Sequence, residues 1–398
     1  MPKINTDREK IQELLTRSVS NVYPNREYLE KLLRSGQRLS LYLGIDPTGD
    51  SLHLGHAINL EKLRAFQELG HQVILLIGDF TAMVGDPTDK KATRQPLTRA
   101  QVLSNAKDYK KQAAKFLDFT GPNKALWKYN SDWHDKLQFP KIMEVASHFT
   151  VQQLLERDMF QERIKNSRPI SLHEFLYPLL QAYDCIAMKV DGELGGNDQT
   201  FNMLSGRDLS KTMLHKDKFV LTMKLLEDQT GKKMGKTEGN MLALKDSAKD
   251  MYGKVMSWTD GMILPGFELC TRIPMKEIKL LVDIPNPRNA KARLAYEITK
   301  IFHGKDAAMK AGREFEKVFS KKENPEDIKV FGVKPGSINP IDLLMAMKFI
   351  NSKSEAKRLV EGGGLKLNHN KVVDWQKNIT IKSGDVIQAG KRKFGKIK

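Results

Sequence analysis

Apolar residues in the first third of the chain fall into two short continuous runs with a helical stripe between them. Positions 39–45 (LSLYLGI) predict a buried strand that stops at Asp46-Pro47-Thr48. From about Leu54 onward, Leu60, Leu63, Phe66 and Leu69 recur at helical spacing, and Gly70 stands where such a helix would end. Positions 72–77 (QVILLI) form the second run, continuous and β-rich, as a parallel strand covered on both faces should be. Strand, loop, helix and strand at this spacing make a βαβ unit. Such units build an α/β fold with an open parallel sheet, whose ligand sits beyond the carboxyl ends of the strands.

Downstream the pattern changes. Residues from about 97 to 170 are mixed in polarity and more helical, and read as an insertion or packing layer. Positions 177–188 are apolar again, whereas 191–199 (DGELGGNDQ) read as a polar, loop-like break. A helical pattern fills 245–319, with stops near Pro265 and at 285–287. The stretch 321–340, containing KKENPED and VKPGSINP, reads as a linker. From Ile341 a small basic module is expected, with helices over 342–350 and 354–361, a Gly362-Gly363-Gly364 turn and short strands. There is no internal repeat and no low-complexity tract.

Composition narrows the function classes. With 398 residues the chain can build two or three cored domains. No run approaches 18 apolar residues, so no membrane span is expected, and the N-terminus does not read as a secretory signal. Two cysteines, Cys185 and Cys270, without a C-x-x-C, make a disulfide framework or a cysteine-rich zinc site improbable and point to a reducing cytosol. The formal net charge of +18 favours a polyanionic partner, although a lysine-rich proteome bias accounts for it equally well. Its location favours the partner: residues 339–398 hold 13 Lys or Arg against 5 Asp or Glu, a net +8.

Two motifs carry chemistry. In Asp46-Pro47-Thr48-Gly49-Asp50-Ser51-Leu52-His53-Leu54-Gly55-His56, two imidazoles stand at i and i+3 on one helix face, behind residue types that cap helices. A helix N-terminus attracts phosphate, and imidazoles there can hydrogen-bond phosphoryl oxygens. Zinc is a weak rival, because there is no H-E-x-x-H and no nearby cysteine. A bare H-x-G-H is more often a pair of surface histidines; preceded by strand and D-P-T, it points to a nucleotide site. The second motif, Lys233-Met234-Gly235-Lys236-Thr237, is not a P-loop, since only three residues separate Gly231 from Gly235. Alone it is a solvated lysine-rich turn; beside His53 and His56 it is better read as a loop closing over a triphosphate. Lys90 and Arg94, after Asp86-Pro87-Thr88, are weaker candidates for pyrophosphate. Tyr177, Gln181 and Asp184 share a helix face at i, i+4 and i+7. On spacing alone an exposed Asp184 at a helix end is favoured over a ligand-binding carboxylate.

At these residues the chain resembles the bacterial tyrosyl-tRNA synthetases, which are class I aminoacyl-tRNA synthetases. The resemblance rests on Tyr42-Leu43-Gly44-Ile45-Asp46-Pro47-Thr48 running into His53-Leu54-Gly55-His56, with support from Gly85-Asp86-Pro87-Thr88, Tyr177-x-x-x-Gln181-Ala182-Tyr183-Asp184, Gly195-Gly196-Asn197-Asp198-Gln199 and the lysine motif. The stretch 351–360 followed by glycines resembles an S4 RNA-binding domain. Tryptophanyl synthetases share the first and last catalytic motifs but do not match the 177–184 stretch.

The resemblance implies a Rossmann-like parallel-sheet catalytic domain over 1–240 with an insertion near 120–165, a helical anticodon-binding-type domain over 241–325, a linker over 326–340 and a small α+β S4 domain over 341–398. It implies tyrosine activation by ATP with Mg²⁺, transfer to tRNA(Tyr), no protein-bound zinc, a homodimer and a cytoplasmic location. Thr48 and His53 would hold the triphosphate tail, His56 the ribose side, and Lys233 and Lys236 the β- and γ-phosphates with Lys90 and Arg94. Gly44, Asp46, Gly196, Met234 and Thr237 would complete the nucleotide site, and Asp198 would bind the ribose. Tyr42 and Asp184 would bind the tyrosine hydroxyl, Tyr177, Asp86 and Gln181 its ammonium, and Gln199 its carboxylate. Lys353, Lys357 and Arg358 would contact RNA. The sequence departs from many relatives at Gly235, where Ser is common, and at Gly49. The rivals are a small-molecule nucleotidylyltransferase, which needs no basic RNA module, and a non-catalytic RNA-binding descendant, which would have lost some of His53, His56, Lys233 and Lys236.

Overall fold

The computed structural model describes residues 3–87, 97–227, 234, 241–282, 286–319, 328–390 and 393–398. The chain divides into two compact units: Met1–Asp246 with Trp258–Leu294, and Ser247–Ser257 with Ala295–Lys398. Residues 258–294 therefore cluster with the first unit, and the boundary expected at 240/241 is not the one between the compact units.

The first unit is built on a six-stranded sheet of β1 (Val19–Tyr23), β2 (Ser40–Ile45), β3 (Gln72–Ile77), β4 (Leu126–Tyr129), β5 (Gly192–Gly196) and β6 (Phe219–Met223), in the order β1-β6-β5-β2-β3-β4. Strands β2 to β6 are parallel, and β1 closes one edge antiparallel to β6. The predicted βαβ unit is present: β2, the helix Leu54–Glu68 and β3. Leu60, Leu63 and Phe66 of that helix are fully buried and Leu69 nearly so, and Gly70 ends it with φ +97°. Each such side chain contributes roughly 1.5–3 kcal/mol on burial. Phe66 stacks on Phe219 of β6 with ring centroids 6.1 Å apart, so this helix bridges several strands.

Two expectations are corrected here. The loop-like break at 191–199 contains β5, a central strand with all five residues buried. Its sequence, GELGG, lacks β-branched residues, and the strand is imposed by its neighbours. A Cβ on Gly192 would fall 2.0 Å from Phe219 Cζ, so glycine permits the close packing of β5 on β6. The insertion expected near 120–165 includes β4, which pairs in register with β3.

In the second unit, helices Ala248–Met256 and Lys305–Phe319 pack together, with Tyr252 against Phe315 at 5.7 Å. The C-terminal module has a five-stranded sheet of β7 (Lys329–Phe331), β9 (Leu365–Leu367), β10 (Asn370–Val372), β12 (Val386–Ala389) and β13 (Lys393–Ile397), in the order β10-β9-β12-β13-β7. A separate ribbon joins β8 (Gly336–Ile338) to β11 (Ile379–Ile381). Its helices, Pro340–Ala346 and Lys353–Glu361, fall close to the predicted ones, and Leu343, Leu344, Ala356, Val360, Leu365 and Ile387 form its core. The described part of the expected linker, 328–340, thus supplies two strands of this module. No helix among the described residues is long and apolar enough to cross a membrane.

Candidate active site

Strand β2 lies at the centre of the sheet, with β3 on one side and β5 on the other. The chain direction of successive crossovers reverses there, which opens a crevice beyond the strand carboxyl ends. The candidate residues lie at that edge: Gly44 on β2 with Asp46 and Thr48 after it, Asp86 after β3, and Gly196, Asp198 and Gln199 at the end of β5.

Asp46 accepts hydrogen bonds from Thr81 Oγ1 at Oδ1 (2.7 Å) and from the Tyr177 hydroxyl at Oδ2 (2.9 Å). Burial pushes its carboxyl up to about 7, although both hydrogen bonds pull the other way. Gly78 makes this arrangement possible. A Cβ there would lie 1.9 Å from Asp46 Oδ1 and 2.4 Å from Thr81 Oγ1.

Asn130, fully buried just past β4, extends the chain of bonds. It accepts from the Phe80 amide (2.9 Å) and donates to Thr81 Oγ1 (3.0 Å) and Asp184 Oδ2 (3.3 Å). Asp184 is only 3 % exposed, so the expectation of an exposed carboxylate does not hold. Its Oδ1 accepts from Trp133 Nε1 and meets His134 Nε2, each at 2.8 Å. Burial raises the Asp184 carboxyl and the surrounding donors lower it. A relay therefore runs from Tyr177 through Asp46, Thr81 and Asn130 to Asp184.

On the β5 side, Gln199 Nε2 donates to Asp86 Oδ2 (2.6 Å), and Asn202 Nδ2 donates to Gln199 Oε1 (3.0 Å). The Arg157 guanidinium lies 3.9 Å from Asp86. Gln181 Nε2 donates to Glu193 Oε1 (3.1 Å). Tyr42 is buried, and its hydroxyl closes no hydrogen bond of ordinary geometry. The structure thus gathers Tyr42, Asp86, Tyr177, Gln181, Asp184 and Gln199 on the β2, β3 and β5 side of the first unit.

The two motif histidines cap their own helix. His53 is the N-cap, and its Nδ1 accepts from the Gly55 amide (3.1 Å), while His56 Nδ1 accepts from the His53 amide (3.2 Å). The cap was expected from Thr48, Asp50 or Ser51; a histidine fills it instead. With both Nδ1 atoms accepting, each neutral ring carries its proton on Nε2 and presents a donor. The rings lie 3.9 Å apart. Donors at a helix N-terminus suit an oxyanion.

Residues 52–54 pair with the strand-like segment 242–244: the Leu54 amide donates to Leu242 O (3.0 Å) and the Leu244 amide to Leu52 O (2.9 Å). On the other side, the Met234 amide donates to Leu226 O (2.8 Å). Lys233, Lys236, Thr237, Lys90 and Arg94 lie outside the described residues. In the second unit, Lys353, Lys357 and Arg358 are exposed on one helix, and Lys357 Nζ sits 4.4 Å above the Trp375 ring.

The sequence reading missed Thr81, Asn130, Trp133, His134, Arg157, Glu193 and Lys218. The one usable signal was Asn130 directly after the apolar LWKY run, at the end of what proves to be a parallel strand.

The family profile described as tRNA synthetases class I (W and Y) matches residues 34–320. The chain belongs to this family of class I tRNA synthetases. Full-length relatives narrow it further. The chain is 43 % identical to the tyrosine–tRNA ligase of Thermotoga maritima, with 98 % of each chain covered. It is 41 % identical to that of Moorella thermoacetica, covering 99 % of this chain and 97 % of the relative. Within the family it therefore falls among the tyrosine–tRNA ligases. The fold is shared with a C-terminally truncated mitochondrial tyrosyl-tRNA synthetase of Aspergillus nidulans (TM-score 0.66, 23 % identity, 79 % of this chain and 95 % of that one). It is shared also with the Archaeoglobus fulgidus tyrosyl-tRNA synthetase complexed with L-tyrosine (TM-score 0.59, 20 % identity, 76 % and 99 %).

Proposed function

We propose that the chain activates tyrosine with ATP, as its magnesium complex, to tyrosyl-adenylate and pyrophosphate, and then transfers tyrosyl to the terminal adenosine of tRNA(Tyr). The observation that carries this reading is the relay from Tyr177 to Asp184 beside the helix that His53 caps. A tyrosine carboxylate is ionised at neutral pH and needs no general base to attack the α-phosphorus. Catalysis then rests on alignment and on stabilising charge on the departing phosphates. His53 and His56 offer Nε2–H donors for that charge, Thr48 adds a hydroxyl, and Lys233, Lys236, Lys90 and Arg94 act as cations. Gly44, Asp46, Gly196, Asp198, Met234 and Thr237 complete the nucleotide side.

Asp184 and Tyr42 receive the substrate hydroxyl. Phenylalanine would leave the buried acceptor unmatched, and tyrosine against phenylalanine in this family is the standing example of such rejection. Tyr177, Asp86 and Gln181 take the ammonium and Gln199 the carboxylate.

The basic C-terminal module, including β7 and β8, acts as the S4-type RNA-binding domain, and the helices that separate it in sequence from the strands of the catalytic sheet act as the anticodon-binding part. Exposed Lys353, Lys357 and Arg358 supply phosphate contacts. A second copy of the chain covers the apolar surface of Phe139, Met143, Val151, Ile164 and Leu172, each at least half exposed. Two free, buried thiols accord with a reducing cytoplasm.

ATP–pyrophosphate exchange with each standard amino acid tests the reading. Exchange with tyrosine alone supports it. Exchange with tryptophan keeps the family and overturns the role of Asp184. No exchange with any amino acid overturns the activity.

A further inference from the structure

Glu193 and Lys218 form an ion pair sealed inside the first unit, at 2 % and 0 % exposure. Glu193 stands on β5, and Lys218 immediately precedes β6. Lys218 Nζ also lies 5.8 Å from the centre of the Tyr42 ring. Gly206 leaves room for it: a Cβ there would sit 2.9 Å from Nζ. Stability does not explain such a pair. Desolvating two charges is expensive, and an apolar pair of the same volume is often as stable or more so.

The second oxygen of Glu193 supplies a reason. Oε1 accepts from Gln181 Nε2 at 3.1 Å. An ionised carboxylate only accepts, so it tolerates only the NH₂ side of the Gln181 amide. The carbonyl oxygen Oε1 of Gln181 must then face the other way. We propose that the Glu193–Lys218 pair is a positioning device that locks the amide of Gln181, so that its carbonyl oxygen is presented to the ammonium group of the amino-acid substrate. Lys218 holds Glu193 through Oε2, Glu193 sets the amide through Oε1, and the amide selects a cationic group. This rests on the assignment of Gln181 to the tyrosine ammonium.

Two variants of the full-length chain test it: Lys218→Met, and the double substitution Glu193→Gln with Lys218→Met. ATP–pyrophosphate exchange gives KM for tyrosine, KM for ATP and kcat, and inhibition by tyrosinol gives binding of a ligand that keeps the ammonium and lacks the carboxylate. In the double variant a glutamine both donates and accepts, so the Gln181 amide loses its fixed sense. Both variants should raise the tyrosine KM and the tyrosinol inhibition constant together, by about tenfold to a hundredfold, with the ATP KM within about twofold of the parent. A double variant with the parent's tyrosine KM overturns the proposal, because a purely structural pair is expected to be replaceable. Equal losses in tyrosine KM, ATP KM and kcat overturn it as well. If Lys218→Met does not fold, the double variant, which buries no lone charge, decides alone. A parent enzyme that exchanges with another amino acid and not tyrosine sinks the pocket assignment instead, which is a different failure.

Discussion

His134 and Asp184 meet at 2.8 Å with both side chains buried, one on the short helix Ser131–His134 and the other near the end of Leu172–Met188. Trp133 Nε1 donates to the same oxygen, Oδ1. An oxygen that already accepts one N–H is best matched by a second donor, so His134 carries its proton on Nε2. Oδ1 then has two donors and Oδ2 one, from Asn130 at 3.3 Å. A carboxylate offers about four lone-pair positions, which leaves Oδ2 able to take one more hydroxyl. We expect His134→Leu to raise the tyrosine KM about tenfold, the scale of one hydrogen bond to a charged group, and to narrow the preference for tyrosine over phenylalanine. The ratio of kcat/KM for the two amino acids measures this, and an unchanged ratio would show that Trp133 and Asn130 suffice.

Asp46 should leave a signature in the pH dependence of stability. Its carboxyl moves from 3.8 to about 7 on folding. Between those values the unfolded chain has lost the proton and the folded chain still holds it. Folding then takes up a proton, and stability falls as pH rises from about 4 to about 7. Asp46→Asn removes this titration. The variant should gain on the parent across that window, by about 2–4 °C in Tm for each kcal/mol relieved. Parallel Tm curves for the two proteins would show that Asp46 ionises normally.

His53 has two separable duties. As N-cap it satisfies the Gly55 amide, and loss of such a cap costs about 1 kcal/mol. As the proposed Nε2–H donor it would serve the phosphates. His53→Ala should lower both stability and the single-turnover rate of adenylate formation while tyrosine still binds. His53→Asn should recover the stability, since Asn caps well. Recovery of the full rate by Asn would reduce the role of His53 to capping.

The C-terminal module should be removed ahead of Ile328 rather than after Pro340. A cut after Pro340 leaves β7 without β13 and β8 without β11, exposing unpaired strand edges that invite aggregation. A chain ending before Ile328 should keep pyrophosphate exchange near the parent's rate and lose most tRNA charging. Normal charging by it would remove the module from tRNA recognition.

What the sequence revealed follows from how locally each feature is encoded. β2, β3 and the helix between them were legible because apolar spacing alone specifies them. β5 was not, since GELGG has almost no intrinsic strand preference and becomes a strand only between β2 and β6. Lys218, in HKDKF, reads as a solvated turn, because nothing local signals a partner 25 residues earlier. His134 looks like an isolated surface histidine on a four-residue helix until Asp184 is placed beside it. The Tyr177, Gln181 and Asp184 face was found by periodicity, whereas its burial required the strands it packs against.

The pairing of residues 52–54 with 242–244 turns a long sequence separation into a short leash. Lys236 is two residues from Met234, whose amide is tied to Leu226, and six from Leu242, which is stitched to the start of the histidine helix. Two residues span at most about 7 Å of extended chain. Met234 and Leu242, eight residues apart in sequence, are thus each hydrogen-bonded to another segment of the first unit. In the proposed function the lysines of this segment would meet a phosphate as local reagents at high effective concentration, because the chain on either side of them is already anchored. Lengthening that leash would dilute them without altering a single side chain.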